Sequence, residues 1–232
     1  MINSLRDALK LLRMDKIPVY FMPGLAASPK IFENIHLPQD RFKCYYLEWL
    51  IPFDNEPVAN YAARICQGIK HPNPVLVGVS FGGILVQEMA AIANARKVII
   101  ISSVRCNAEF PRRMRFAKMS HAYRLFPTRL MQDFTWLGKV FKGNKFIARR
   151  LELYEKFMSV RDKKYLDWAF KTIINWDRCE PDVNVVHIHG DTDEVFPPKY
   201  LQNYIAVKGG THIMIINKYK WLNDNLPQLI LK

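Results

Sequence analysis

The 232-residue sequence predicts an α/β fold: a mostly parallel central sheet with helices on both faces and a helical cap inserted between strands. Three observations lead there. Short aliphatic runs recur without polar alternation, as strands covered on both faces require. Between them lie segments with apolar residues three and four apart, the spacing of one helical face. From about residue 105 to 178 the aliphatic runs cease and only helical spacing remains.

Taken in order, the N-terminal stretch MINSLRDALKLLRMDK puts Leu5, Leu9 and Leu12 on one face of a short amphipathic helix. Charges interrupt its leucines, so it does not read as a secretory signal. Ile17–Met22 (IPVYFM) is the first strand, broken by Pro23-Gly24. Phe42–Leu47 is the second, Val75–Val79 the third and Lys97–Ser103 the fourth, with helices expected over Pro57–Ile69 and Ile84–Ala95. In the insertion, Leu130, Phe134, Leu137 and Phe141 share a face, as do Ile147, Leu151, Tyr154 and Met158. Leu166, Phe170 and Ile173 form a third stripe, with Trp168 and Trp176 nearby. Such stripes are first of all packing surface, but an insertion at the C-terminal edge of a parallel sheet also covers the crevice where ligands bind. Val183–Gly190 is the fifth strand and Asn203–Gly210 a shorter sixth. The expected organisation is a core of residues 1–104 and 179–232 and a cap of residues 105–178.

Half the residues are hydrophobic, enough for a substantial core, and no apolar run is long enough to cross a bilayer. Cys44, Cys66, Cys106 and Cys179 are scattered without a C-x-x-C pair. That excludes a zinc-finger or disulfide-framework reading and suits reduced thiols in a cytoplasmic protein. The net charge is +13, and it is concentrated: residues 105–180 hold 18 Lys/Arg against 8 Asp/Glu, and the rest 16 against 13. A high pI suggests nucleic acid. Here, however, the basic residues alternate with acids and apolar residues at helical spacing, the pattern of solvated helix faces, so no nucleic-acid partner is expected. Attraction toward anionic substrates or membrane headgroups fits the field better.

The stretch VLVGVSFGG, Val75–Gly83, concentrates the chemistry. Gly78 and Gly83 have the outer spacing of a P-loop, but Ile84 and Leu85 stand where Lys and Ser/Thr are required. A dinucleotide fingerprint fails because its middle glycine would be Ser80. A plain glycine-rich strand-to-helix turn and a nucleophile elbow, G-x-S-x-G, remain. In an elbow the serine oxygen stands exposed above the sheet and its neighbours must be tiny. A serine needs a base, and the base needs an orienting acid. After the fifth strand comes HGDTDEVFP, with Asp191 and Asp193 in a polar turn; after the sixth comes GGTHIMIIN, with His212 in a glycine-loosened loop. The order is Ser, Asp, His.

Together GVSFGG, HGDTDEVFP and GGTH resemble the α/β-hydrolase superfamily, from Ile17 to the C-terminal region. The helical insertion after KVIIISS is similar to the cap such enzymes carry there. The resemblance implies an acid three residues after the glycine of an HG-x-x-D turn, with a proline following. Gly190, Asp193 and Pro197 fit, so Asp193 is the expected acid and Asp191 an alternative better suited to stabilising the turn. It also implies an oxyanion hole from the backbone amides of Phe81, at a helix N-terminus, and of Leu25 or its neighbour in FMPGLAAS. Pro23 replaces the histidine many members carry, which leaves a main-chain donor intact but reshapes the pocket wall.

His187 and His189, in the fifth strand, read as facing opposite sides and as satisfied core or loop-end residues. His36, His71 and His121 have no motif around them, and surface pairing suffices for Asp133, Glu152 and Asp167. No cluster has metal-ligand spacing, and neither a metal nor an organic cofactor is expected. The activity implied is hydrolysis of carboxylic esters, thioesters or related acyl compounds through an acyl-enzyme on Ser80. A lyase or acyltransferase using the same three residues, or a binding protein that kept the fold, remains open. The expected partner is a small-molecule acyl substrate, apolar or anionic; nothing in the sequence sets the oligomeric state.

Overall fold

The computed structural model describes residues 16–121 and 156–232. Six strands form one parallel sheet: β1 (Ile17–Met22), β2 (Phe42–Tyr46), β3 (Val75–Val79), β4 (Lys97–Ile101), β5 (Val185–Gly190) and β6 (Ile205–Val207). Their spatial order is β2-β1-β3-β4-β5-β6, with every neighbouring pair parallel. Among the described residues the helices are α1 (Val58–Cys66), α2 (Phe81–Ile92), α3 (Arg112–Met119), α4 (Lys163–Asn175), α5 (Met214–Asn217) and α6 (Tyr219–Leu231), with three short 3-10 turns.

The aliphatic runs divide by the two-residue period of a strand. Val19, Phe21, Val75, Val77, Val79, Ile99 and Ile101 pack on one face, against Leu222, Leu226 and Ile230 of α6. Tyr20, Met22, Leu76, Val98 and Ile100 pack on the other, against α1 and α2. Both faces are covered, which is why the strands show no polar alternation. The described part of the insertion shares this second core: Tyr165, Leu166, Trp168, Ala169 and Ile173 of α4 pack with Tyr61, Phe81 and Ile84. The stripes centred on Leu130 to Phe141 and Ile147 to Tyr154, and the Leu5–Leu12 face, lie outside the described residues.

Several boundaries differ from the sequence reading for identifiable reasons. β4 stops at Ile101 because Ser102 has φ 50°, which no strand continues through. β6 shrinks to three residues between Asn203 (φ 49°) and Gly209 (φ 64°). β5 begins at Val185, where the chain becomes buried; Val183 is exposed. Helix α2 starts at Phe81, not Ile84, so both glycines fall inside its first turn.

The strand order reverses between β1 and β3: the chain passes from β1 outward to β2, then returns to β3 on the other side. At such a switch point the loops after the two central strands diverge and leave a crevice at their carboxyl ends. One of those loops carries Leu25; the other is Ser80.

Candidate active site

Ser80 joins β3 to α2 with φ 52° and ψ −118°, a conformation that L-residues rarely adopt. Its backbone is held on several sides. The amide donates to the Ile101 carbonyl at 2.9 Å, and the carbonyl accepts from Gly83 N at 2.9 Å and Ser103 Oγ at 2.7 Å. The side chain does not cap the helix it precedes. The close passage of strand and helix explains the glycines. A Cβ on Gly78 would stand 2.3 Å from the Gly82 carbonyl oxygen, and one on Gly82 2.3 Å from the Pro23 carbonyl oxygen.

Ser80 Oγ lies 2.9 Å from Nε2 of His212, and His212 Nδ1 lies 2.9 Å from Oδ2 of Asp193. Ser80 and His212 are half-buried; Asp193 is buried. The amides of Val195 and Phe196 donate to Asp193 Oδ1 at 2.8 and 3.0 Å. Burial alone pushes this carboxyl up, but the hydrogen bond and charge of His212 and the Phe196 amide outweigh it, so its pKa lies below the ordinary carboxylate value. Asp191 Oδ1 instead accepts from the Gly209 amide at 2.7 Å and ties the turn to the loop after β6. That loop and the acid turn meet at another forced contact: a Cβ on Gly190 would be 2.2 Å from the Gly210 carbonyl oxygen. Two glycines therefore bring Asp193 and His212 within reach.

The loop after β1 is fixed from outside. Gly24 O accepts from Trp49 Nε1 at 2.9 Å, and the Ala26 amide donates to the hydroxyl of Tyr165 at 3.1 Å. Ala26 has φ 58°, and its carbonyl accepts from Ser159 N at 2.9 Å. The amides of Leu25 and Phe81 have no acceptor among the described residues. The Phe81 ring stacks on Trp49 at 4.9 Å and 7°, beside Trp168 and Tyr165, so a buried aromatic cluster lies next to Ser80. Sequence reasoning missed Trp49, Tyr165 and Ser103 in these roles. None lies in a motif, and only the fold brings positions 49, 103 and 165 to residues 24–26 and 80.

The remaining histidines are also placed. His71 bridges the hydroxyls of Tyr20 and Tyr45, at 2.7 and 2.9 Å. His187 and His189 do not face opposite sides; residues two apart on a strand share a face, and their rings meet at 3.2 Å between Nε2 of His187 and Nδ1 of His189. Asp167 pairs with Lys163. No group of three His, Cys, Asp or Glu suited to a metal occurs among the described residues.

Residues 36–218 match the family described as the alpha/beta hydrolase family. The chain belongs to the α/β-hydrolase family. Among solved structures it is similar to a bromoperoxidase from Bacillus anthracis, with TM-score 0.65 and 16% identity over 94% of this chain and 92% of that one. A thermophilic esterase from Thermogutta terrifontis gives TM-score 0.58 and 13% identity, covering 92% and 89%. The RedJ thioesterase of the prodiginine pathway in Streptomyces coelicolor gives 0.57 and 14%, covering 91% and 85%. No curated protein matches the sequence. At these identities the likeness extends to the fold; the chemistry must be argued from the hydrolase's own residues.

Proposed function

We propose that this α/β-hydrolase cleaves carboxylic esters, thioesters or related acyl compounds by way of an acyl-enzyme on Ser80. The observation that carries the reading is the unbroken succession of Ser80 Oγ, the His212 imidazole and Asp193 Oδ2, with contacts of 2.9 Å at Nε2 and at Nδ1, at the carboxyl edge of the sheet. Ser80 Oγ attacks the carbonyl carbon while His212 Nε2 takes its proton, and ionised Asp193 holds the imidazole tautomer and offsets its positive charge. The oxyanion that forms accepts from the amides of Leu25 and Phe81; each such donor is worth roughly 10²–10³ in rate. Collapse breaks the bond to the alkoxide or thiolate, which leaves with the proton from His212. Water then enters, gives a proton to His212 and attacks the acyl carbon; the bond to Ser80 Oγ breaks as that oxygen takes the proton back from His212, and the acid is released.

The buried aromatic cluster of Trp49 and Phe81 beside Ser80 supports an apolar acyl group. The basic excess of residues 105–178 favours substrates with an anionic part. The four cysteines are unpaired, in keeping with a cytoplasmic setting, and no helix among the described residues is long and apolar enough to cross a membrane. The test is fluorophosphonate labelling with mapping of the modified peptide, beside p-nitrophenyl esters of graded chain length and acyl-CoA thioesters. An adduct on Ser80 and turnover that vanishes in Ser80→Ala are expected. Turnover unchanged in Ser80→Ala would remove Ser80 from the reaction.

A further inference from the structure

The Leu25 amide belongs to the peptide unit whose carbonyl is that of Gly24, so whatever grips the Gly24 oxygen aims the amide. This unit runs beside the nucleophile: a Cβ on Gly24 would lie 3.5 Å from Ser80 Cβ. Its carbonyl accepts from Trp49 Nε1 at 2.9 Å and from the Ala27 amide at 3.0 Å. A peptide unit is planar, so fixing its oxygen fixes the direction of the N–H on the other side. Donation to the carbonyl also polarises the unit and strengthens that N–H as a donor.

The next two peptide units are gripped from the insertion. The Ala26 amide donates to the Tyr165 hydroxyl at 3.1 Å, and the Ala26 carbonyl accepts from the amides of Ser159 and Val160 at 2.9 and 3.3 Å. Ala26 is held at φ 58°, where an L-residue relaxes once its partners are removed. Ala26 and Tyr165 are both fully buried, and burial holds the phenol well above its ordinary range, so it stays an uncharged acceptor. Two adjacent amides are thereby separated. Ala26 gives its hydrogen to Tyr165, whereas Leu25 has no acceptor among the described residues. The two gripping side chains also meet each other, ring to ring at 5.4 Å, and Trp49 stacks on Phe81 at 4.9 Å.

We propose, on the oxyanion hole of Leu25 and Phe81 given above, that Trp49 and Tyr165 are its positioning residues. Trp49 aims the Leu25 amide; Tyr165, carried by the insertion on α4, withholds the Ala26 amide and keeps the loop from turning. The hole is thus completed by the insertion, and a donor fixed before the reaction is what a developing oxyanion requires.

Two changes to the full-length protein test the assignment. Tyr165→Phe removes the hydroxyl, and replacing Trp49 with benzothienylalanine exchanges the indole N–H for sulfur; each keeps its aromatic ring. In the free protein the ¹⁵N order parameter of the Leu25 amide should be that of rigid backbone, about 0.85, and fall toward about 0.6 in either variant. With a p-nitrophenyl ester, kcat should fall about tenfold, less than the loss of a whole donor, while KM stays within about twofold. An alkyl boronic acid, whose adduct on Ser80 puts an oxygen into the hole, should bind more weakly by the same factor as kcat/KM falls. Unchanged order at Leu25 in both variants overturns the proposal. So does a loss carried by KM alone, or one that leaves boronate affinity at the wild-type value. Should Tyr165→Phe not fold, the Trp49 replacement decides by the same readings. A wild type that neither labels on Ser80 nor turns over sinks the hydrolase reading, whereas the Leu25 order parameter is read without turnover and decides this one.

Discussion

The backbone at Ser80 makes a prediction that reverses the ordinary ranking of two substitutions. Ser80→Ala and Ser80→Gly both delete the hydroxyl and its 2.9 Å contact with His212, so that loss cancels between them. They differ in the Cβ. At φ 52° and ψ −118° a residue with a Cβ stores about 1–3 kcal/mol of strain. The turn cannot relax, because hydrogen bonds from Ser80 N to Ile101 and from Gly83 and Ser103 to the Ser80 carbonyl hold both peptide planes. Glycine removes the strain but gains unfolded-state freedom worth roughly 0.5–1 kcal/mol. Ser80→Gly should therefore be more stable than Ser80→Ala by about 1 kcal/mol, or roughly 2–4 °C in Tm for a chain of this size. Urea titration followed by tryptophan fluorescence reads it, since Trp49 stacks on the Phe81 ring next to the mutated turn. An alanine variant as stable as the glycine variant, or more so, would refute the strained elbow and with it the argument that Ser80 is placed for reactivity.

Three further outcomes follow from the same geometry. Gly82→Ala drives a Cβ to 2.3 Å from a backbone carbonyl, so Ser80 labelling should slow at least tenfold, with a stability loss of about 2 kcal/mol; a normal melt and normal labelling would contradict the contact. Asp193→Asn should cost up to about 10⁴ in turnover by favouring the wrong His212 tautomer, while Asp191→Asn, which touches only the Gly209 amide, should leave turnover within a few-fold. His187 falls from its ordinary 6.5 to about 3, so on acidification the unfolded chain takes up its proton first; stability drops below about pH 6.5, and by pH 5 this group has removed about 2 kcal/mol. The loss between pH 7 and pH 5 should be smaller by about that amount in His187→Leu; equal losses would mean His187 is not held neutral in the fold.

Much of this was legible before any coordinates. Aliphatic runs without alternation marked all five of the longer strands, and G-x-S-x-G marked the bend, because a turn so tight excludes side chains whatever surrounds it. The family resemblance is what favoured Asp193 over Asp191 as the expected acid; in the fold Asp193 meets His212, and Asp191 accepts from the Gly209 amide. The strand reading failed at the ends. Ser102, Asn203 and Gly209 leave extended geometry through positive φ values set by neighbouring loops, which composition does not report. It failed too for His187 and His189, whose shared face follows from strand period alone and was misread.

What the sequence by itself determined is therefore local: which runs are buried, where small residues permit a bend, and which side chains have the chemistry to serve as nucleophile, base and acid. Only the tertiary structure decided which of them meet. Ser80 and His212 are 132 residues apart, and Trp49 and Tyr165 reach the loop at 24–26 from 25 and 139 residues further along the chain. Such encounters depend on strand order and on the Gly190–Gly210 approach. Contact across a sheet edge is set by packing summed over both hydrophobic cores, and no short stretch of sequence carries that sum.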